Sequence, residues 1–173
     1  MSTHVALLRA VNVGGRGKVP MARLREVFEE LGHREVRTYI QSGNVVFDAD
    51  GTPSPGSLEA AISAAFDLAV TVIVRTPAGL REIVGANPFP EEDPSSLHVG
   101  FLAHPAPAGA LPGADLERFA PDAAVLRGTE LYLHLPNGLG RSKLAEYVTR
   151  KPPAPMTVRN WRTVTTLVEI SGG

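Results

Sequence analysis

Apolar residues in the first 75 positions alternate between the spacing of strands and that of helices. Met21, Leu24, Phe28 and Leu31 recur three and four residues apart, as on one face of a helix. Gly32 follows this series, and glycine commonly ends helices. The predicted order of elements is strand, helix, strand, strand, helix, strand, which is the ferredoxin-like, or split βαβ, arrangement. The strands are expected at 4–11, 36–40, 44–47 and 70–74, and the helices at 20–31 and 58–66.

The second half of the chain repeats most of this order. Thr76 and Pro77 form a typical helix start, since threonine caps helices and proline suits the first turn. The two halves share no recognisable sequence words, so the expected duplication concerns element order only. The expected elements are a strand at 97–103, a short helix with Leu116 and Phe119, strands at 123–126 and 131–135 around Gly128, and a helix with Leu144, Tyr147 and Val148.

The last segment, 157–170, fits two different structures. Its many valine and threonine residues favour a strand. The spacing of Val158, Trp161 and Val164 suits one face of a helix instead. Periodicity alone leaves both alternatives open.

Composition places the chain among ordinary globular proteins. Its 173 residues are 43% hydrophobic and 20% charged. No apolar run reaches the roughly 18 residues that a membrane span needs, and the first residues lack the basic-then-apolar pattern of a secretory signal. The absence of cysteine excludes disulfides, thiolate catalysis and cysteine metal sites. We therefore expect a cytoplasmic protein without membrane association.

The net charge of -1 hides an uneven distribution along the chain. Residues 1–48 carry a net charge of +2, residues 49–135 carry -7, and residues 136–173 carry +4. Two basic ends that meet in space would form a local positive region on a nearly neutral protein. The alternative is that the acidic middle is simply a solvated face.

Polar residues near the N-terminus form a first candidate cluster. Arg9 and Asn12 interrupt a predicted buried strand or its end, so they either hold internal structure together or line a site. A glycine-rich loop with Lys18 follows, and such loops can bring backbone N–H groups to phosphate. This loop matches neither common nucleotide-binding glycine motif, so a flexible connection is the alternative. Gln41, Ser42 and Asn44 lie between two strands, where Gly43 and Asn44 also suit a hairpin turn.

A second cluster lies near the C-terminus. Ser142 is a plausible helix cap, and Arg141 and Lys143 beside it either form an anion site with free backbone N–H groups or point into water. Arg159 and Asn160 flank the only tryptophan, Trp161. That side chain either stacks on a base or sugar or, as is more common for a lone tryptophan at helical spacing, belongs to the core.

Other kinds of site find little support in the sequence. The five histidines lack the spacing of metal ligands, and no metal site is predicted. No Ser/His/Asp set can be selected from the order of residues alone. The catalytic residues, if there are any, and the cofactors stay unassigned.

Five sequence motifs lie at 8–15, 39–45, 87–89, 140–144 and 157–161. Together they resemble the DUF1697 family of bacterial proteins, whose function is not established. One small departure is Ala10-Val11, where the family more often has Gly-Ile. The resemblance implies two ferredoxin-like halves and favours a helix over 157–168 with Thr157 as its cap. It implies no catalytic residues.

We therefore predict an α/β (α+β) fold with two ferredoxin-like βαββα(β) halves in one compact chain and a C-terminal helix. The expected division is a ferredoxin-like subdomain at 1–75, a connecting helix and loop at 76–96, and a second ferredoxin-like subdomain with the C-terminal helix at 97–173.

The first functional hypothesis is binding of an anionic small molecule, a nucleotide or phosphorylated metabolite, in one cleft lined by basic and amide side chains. It requires several of the candidate residues to converge. Those residues are Arg9, Asn12, Lys18, Gln41, Ser42, Asn44, Arg141, Ser142, Lys143, Arg159 and Asn160.

Three other hypotheses stay open. Nucleic-acid binding by the basic ends is one, although the near-zero net charge disfavours it. An enzyme acting on a phosphorylated substrate is another, with Ser42 or Ser142 as nucleophile and no identifiable base. A protein-interaction module is the last, and an exposed apolar patch without a cleft would favour it. The sequence does not predict the oligomeric state.

Overall fold

The computed structural model describes residues 1–9, 19–39, 43–111 and 113–172. The chain forms two compact units, Met1–Arg81 with Leu167–Gly173 and Glu82–Thr166. Each unit contains one four-stranded antiparallel sheet. The predicted domain boundaries at residues 75 and 97 stay predictions, because a unit defined by packing need not be an independently folding domain.

The first unit has the ferredoxin-like order predicted for it. Its sheet runs β2-β3-β1-β4, and α1 and α2 are the two crossover helices between its strands. A further helix, α3, follows the last strand, and the boundary between the units falls inside it, after Arg81. The elements are β1 (Ser2–Arg9), α1 (Met21–Glu30), β2 (Arg34–Tyr39), β3 (Asn44–Ala49), α2 (Pro55–Phe66), β4 (Thr71–Arg75) and α3 (Pro77–Gly85).

Helix α1 packs on the sheet through the face that its apolar spacing predicts. Leu24, Val27 and Phe28 are buried, and the Phe28 ring meets Phe47 of β3 edge-on at 5.0 Å between centroids. The prediction that Leu31 continues this face is wrong, because that side chain is 41% exposed. The helix ends at Glu30, and the chain turns away at Gly32.

The second unit has the same topology as the first. Its sheet runs β6-β7-β5-β8, which is the first unit's order when strands are counted from the start of each unit. The two predicted ferredoxin-like halves are therefore confirmed. The elements are β5 (Leu97–Leu102), α4 (Gly113–Leu116), β6 (Ala123–Arg127), β7 (Glu130–His134), α5 (Lys143–Arg150), β8 (Met156–Asn160) and α6 (Trp161–Ile170), with 3-10 turns at Pro94–Ser96, Glu117–Phe119 and Leu139–Arg141. The boundary between the units falls inside α6, after Thr166.

The ambiguous C-terminal segment contains both of the structures that its sequence fits. Met156–Asn160 forms strand β8 on β5, and helix α6 begins at the next residue. The expectation that Thr157 caps the helix is wrong, since Thr157 lies inside β8 opposite Phe101. The cap is Asn160, whose side-chain oxygen accepts the backbone N–H of Thr163 at 2.8 Å. Asparagine is among the strongest helix caps.

The first strands of the two units share a short sequence pattern that only the structure aligns. His4 and Val5 of β1 correspond to His98 and Val99 of β5, and each pair precedes a small residue and two apolar ones. In the first strand the His4 Nδ1 lies 3.1 Å from the Ser2 carbonyl oxygen, two residues earlier. The duplication that the element order predicts thus extends to the amino-acid sequence of the first strand in each unit.

Side-chain contacts fasten the segment before β5 to the β6–β7 hairpin of the same unit. The buried Tyr132 hydroxyl donates to the Ile83 carbonyl at 2.6 Å, and the Arg127 guanidinium donates to the Ala86 carbonyl. His134 lies 3.4 Å from the Glu92 carboxylate. Residues 83–96 are therefore held against the sheet.

Helix α5 begins at the cap that the sequence predicts. The Ser142 hydroxyl accepts the backbone N–H of Ala145 at 2.9 Å and donates to the Asp122 carboxylate at 2.7 Å. The cap therefore joins the start of α5 to the segment before β6. In the residues that the structure describes, no helix has both the length and the apolar character to cross a membrane.

Replacing the Tyr132 hydroxyl should lower stability. Tyr132→Phe removes the donor to the buried Ile83 carbonyl, and we expect a loss of about 1–2 kcal/mol in the free energy of unfolding. Urea denaturation at pH 7 measures it. A variant as stable as the wild type would contradict this role.

The same residue should make stability depend on pH in the alkaline range. Burial raises the pKa of Tyr132 to about 12, whereas a tyrosine in an unfolded chain has a pKa of about 10. The unfolded chain therefore loses the proton first, and stability should fall as pH rises from about 10 to 12. Tyr132→Phe should show a smaller fall than the wild type, and Tyr147→Phe is the control.

The cap of α5 should contribute measurably to stability. Ser142→Ala removes the acceptor for the Ala145 N–H and the donor to Asp122, and we expect a loss of about 1–2 kcal/mol. Ser54→Ala is the matched control, because Ser54 caps α2 through a longer bond of 3.3 Å to the Ser57 N–H. An equal or larger loss in the Ser54 variant would argue against the added contribution of Asp122.

Candidate functional site

A pocket of about 500 Å³ opens in the second unit where β8 passes into α6. Ligand pockets for small molecules usually measure about 300–1,000 Å³, so this one has a suitable size. Its walls come from the 3-10 turn before β5 and from the β8–α6 junction. The lining residues are Pro94, Ser95, Asn160, Trp161, Arg162 and Thr165.

The junction between β8 and α6 fixes the positions of the pocket residues. Asn160 is the last residue of β8, paired with His98 of β5, and its side chain caps α6. Trp161 and Arg162 are consequently the first two residues of the helix. No loop separates the strand from the helix. The backbone that carries these side chains is therefore held by regular hydrogen bonding in β8 and in α6.

Trp161 lies in the pocket wall with its side chain half-buried. It is not among the fully buried side chains of the core, so part of the indole is accessible. A partly accessible indole is a suitable surface for a flat ring.

The pocket combines apolar walls with several polar groups. Trp161 and Pro94 supply apolar surface, and Arg162 supplies an exposed cation. The Ser95 hydroxyl and backbone N–H both donate to Asp93 Oδ1 at 2.9 Å, and these bonds hold the pKa of Asp93 below its usual value. A fixed negative charge therefore lies next to the Ser95 side of the pocket.

A buried histidine lies on β5, directly opposite the pocket residue Asn160. His98 is 8% exposed and pairs with Asn160 across β5 and β8. Its Nδ1 has no hydrogen-bond partner in the described part of the chain. Burial lowers the pKa of His98, and the backbone of Ser96 partly opposes this shift. Strand β5, beside Asn160, thus contains a buried imidazole whose neutral form is favoured.

A second, smaller depression of about 150 Å³ lies along α5. The Arg118 guanidinium carbon lies 4.7 Å from the Phe119 ring centroid and 5.1 Å from that of Tyr147. Lys143, a predicted site residue, lies here with its Nζ 3.6 Å from the Glu146 carboxylate. The lining residues are Arg118, Phe119, Lys143, Glu146, Tyr147 and Arg150.

Other predicted residues of this unit have different surroundings. Arg141 is exposed in a 3-10 turn, and the Ser142 hydroxyl is buried in its cap. Arg159 is 7% exposed and donates to the Thr157 hydroxyl at 2.6 Å. Burial lowers the pKa of Arg159 to about 10. Alternation along β8 directs Arg159 to the opposite face of the sheet from Asn160.

The first unit contains two described members of the predicted set. Arg9 is exposed at the end of β1, opposite Thr71 of β4. Asn44 is completely buried, and its amide donates to the Tyr39 carbonyl at 3.0 Å, which fastens the end of β2 to the start of β3. Four predicted residues lie outside the described residues: Asn12, Lys18, Gln41 and Ser42.

Within the second unit, the structure places Asn160 and Lys143 in two different depressions. Sequence analysis did not select Pro94, Ser95 or Thr165 for the first, and no signal in the chain links them to Asn160. For the second depression, the sequence does contain a signal: Lys143, Glu146 and Arg150 recur at helical spacing and therefore lie on one face of α5. Among the described residues, no cluster of three or more His, Cys, Asp or Glu side chains is arranged to hold a metal ion.

Comparison with known proteins relates the chain to others by fold and by family. The conserved bacterial protein SP0830 from Streptococcus pneumoniae has a similar structure, with a TM-score of 0.69 over 98% of each chain. Its sequence is 19% identical, so the likeness concerns the fold alone. No curated protein matches the chain significantly. A family model described as a protein of unknown function (DUF1697) matches residues 1–132, and the chain therefore belongs to the DUF1697 family.

Proposed function

We propose that the protein binds an anionic small molecule that carries a planar ring, of the nucleotide class, in the pocket at the β8–α6 junction. One observation supports this most directly. A pocket of about 500 Å³ is lined together by an indole, a guanidinium and a side-chain amide, those of Trp161, Arg162 and Asn160.

The ring of the ligand would stack on Trp161. Stacking of a base on an aromatic side chain contributes about 1–3 kcal/mol and tolerates different bases. The Pro94 ring adds apolar surface to the same pocket. The Asn160 side chain and the Ser95 and Thr165 hydroxyls can contact polar edges of the ring or a sugar.

The negative charge of the ligand would lie near Arg162. A guanidinium binds phosphate through paired N–H groups, and the N-terminus of α6 adds a favourable helix dipole. The Asp93 carboxylate next to Ser95 repels an anion from the other side of the pocket. The ring of the ligand would therefore lie against Trp161, and its phosphate would lie near Arg162.

The alternatives receive less support from the described residues. A nucleic-acid strand would use the same stacking and cation contacts, but the net charge of -1 disfavours it. The Ser142 hydroxyl is engaged with Asp122 and Ala145, which does not favour it as a nucleophile. The exposed large apolar side chains, Met1, Leu31 and Leu139, lie apart in sequence rather than on one described element.

Fluorescence offers a direct test, because Trp161 is the only tryptophan in the chain. Adenosine 5′-monophosphate should change its emission in a saturable way. Adenosine, which lacks the phosphate, and ribose 5-phosphate, which lacks the base, should each bind about tenfold or more weakly. A 12-residue single-stranded DNA that binds far more tightly than the mononucleotide, with a steep salt dependence, would instead support nucleic-acid binding.

Asn160→Asp separates the binding role of this residue from its capping role. Aspartate caps helices as well as asparagine does, so the melting temperature should barely change. The added negative charge should weaken nucleotide binding about threefold to tenfold, as should Arg162→Gln. Calorimetric titration measures both, with Arg25→Gln on α1 as the control. Affinity that is unchanged in both pocket variants would contradict the proposal.

A further inference from the structure

We infer that the face of α5 bearing Lys143, Glu146 and Arg150 forms a second anion site, suited to a diphosphate group and separate from the pocket at Trp161. Arg118 completes it from the 3-10 turn before β6. This inference is independent of the proposed function, because the two depressions share no lining residue.

Three cations converge on this depression. Lys143, Glu146 and Arg150 recur on one face of α5, and the two cations approach different oxygens of the Glu146 carboxylate. Lys143 Nζ is 3.6 Å from one oxygen, and the Arg150 guanidinium is 3.9 Å from the other. Three positive charges against one carboxylate leave a local excess of about two positive charges.

The Glu146 carboxylate lies between Lys143 and Arg150, and its interactions with both cations are weak. Its contacts are longer than the roughly 2.7–3.2 Å of a good N–H···O hydrogen bond. The side chains are mostly exposed, with Lys143 at 83% and Glu146 at 59%, so such pairs contribute little. A ligand with more negative charge can therefore take the place of this carboxylate.

Arg118 contacts two aromatic rings of the second unit. Its guanidinium lies over Phe119 and within 5.1 Å of the Tyr147 ring centroid. A cation over an aromatic ring is stabilised by the ring's quadrupole, while its in-plane N–H groups can still donate. The site thus includes one cation whose position does not depend on Glu146.

The dimensions favour two linked phosphate groups. One carboxylate spans the gap between Lys143 and Arg150 only with long contacts on both sides. A diphosphate is longer and more highly charged, so it can approach both cations closely. The volume of about 150 Å³ is below the roughly 300–1,000 Å³ typical of sites that enclose a drug-sized ligand. A diphosphate group fits without a nucleoside.

Calorimetric titration of the full chain with sodium pyrophosphate at low ionic strength tests the inference. Glu146→Gln should tighten binding about twofold to fivefold, because it removes the competing carboxylate. Lys143→Gln and Arg150→Gln should each weaken binding by a similar factor. A general change in fold would not tighten binding in the Glu146 variant and also weaken it in the Lys143 and Arg150 variants.

Two controls carry the same changes of charge on α1. Glu29→Gln matches the acidic variant and Arg25→Gln matches the basic ones, and both side chains are exposed. Neither should change pyrophosphate affinity by more than about 1.5-fold, because neither side chain lines the proposed site. Equal effects in controls and site variants would overturn the inference, since only net charge would then matter.

The pocket variants distinguish this site from the proposed one. If Arg162→Gln abolishes pyrophosphate binding while Glu146→Gln has no effect, the anion occupies the pocket at Trp161 and the inference is wrong. Absence of any pyrophosphate binding also overturns the inference, and it leaves the nucleotide proposal to its own fluorescence test.

Discussion

The second unit depends on the pairing of β5 with a strand on each side. All six residues of β5 are buried, so its backbone groups need partners from both β7 and β8. The close approach of Met156 strengthens this constraint, because a Cβ on Gly100 would lie 2.5 Å from the Met156 sulfur. The register of β8 on β5 determines where Asn160 ends the strand and α6 begins.

Local patterns were sufficient to predict most of the fold. Apolar spacing located the helices, Gly128 marked the hairpin, and Ser142 identified the start of α5. The segment 157–170 could not be divided in this way, because its valines and threonines satisfy both periodicities. Only the long-range pairing of Met156–Asn160 with β5 makes the first part a strand. Non-local hydrogen bonds outweigh local preference there.

The candidate site was less predictable than the fold, for a physical reason. Asn44, Arg159 and Asn160 are all polar residues in or beside strands, yet the first two are buried and bonded to nearby groups. A buried polar group needs such partners whether or not a ligand exists, so residue type cannot separate the two roles. Pro94 and Ser95 reach Asn160 through the tertiary fold, which no local sequence signal reveals.

The direct passage from β8 into α6 limits how this part of the chain can change during evolution. Side chains along a strand alternate between faces, so a one-residue insertion or deletion within 156–160 would direct Arg159 and Asn160 each to the opposite face of the sheet. An insertion would place Arg159 at the position of the helix cap, and a deletion would place Asn160 at the buried position of Arg159. Length variation should therefore accumulate in the linker before Met156, while the strand itself keeps a constant length.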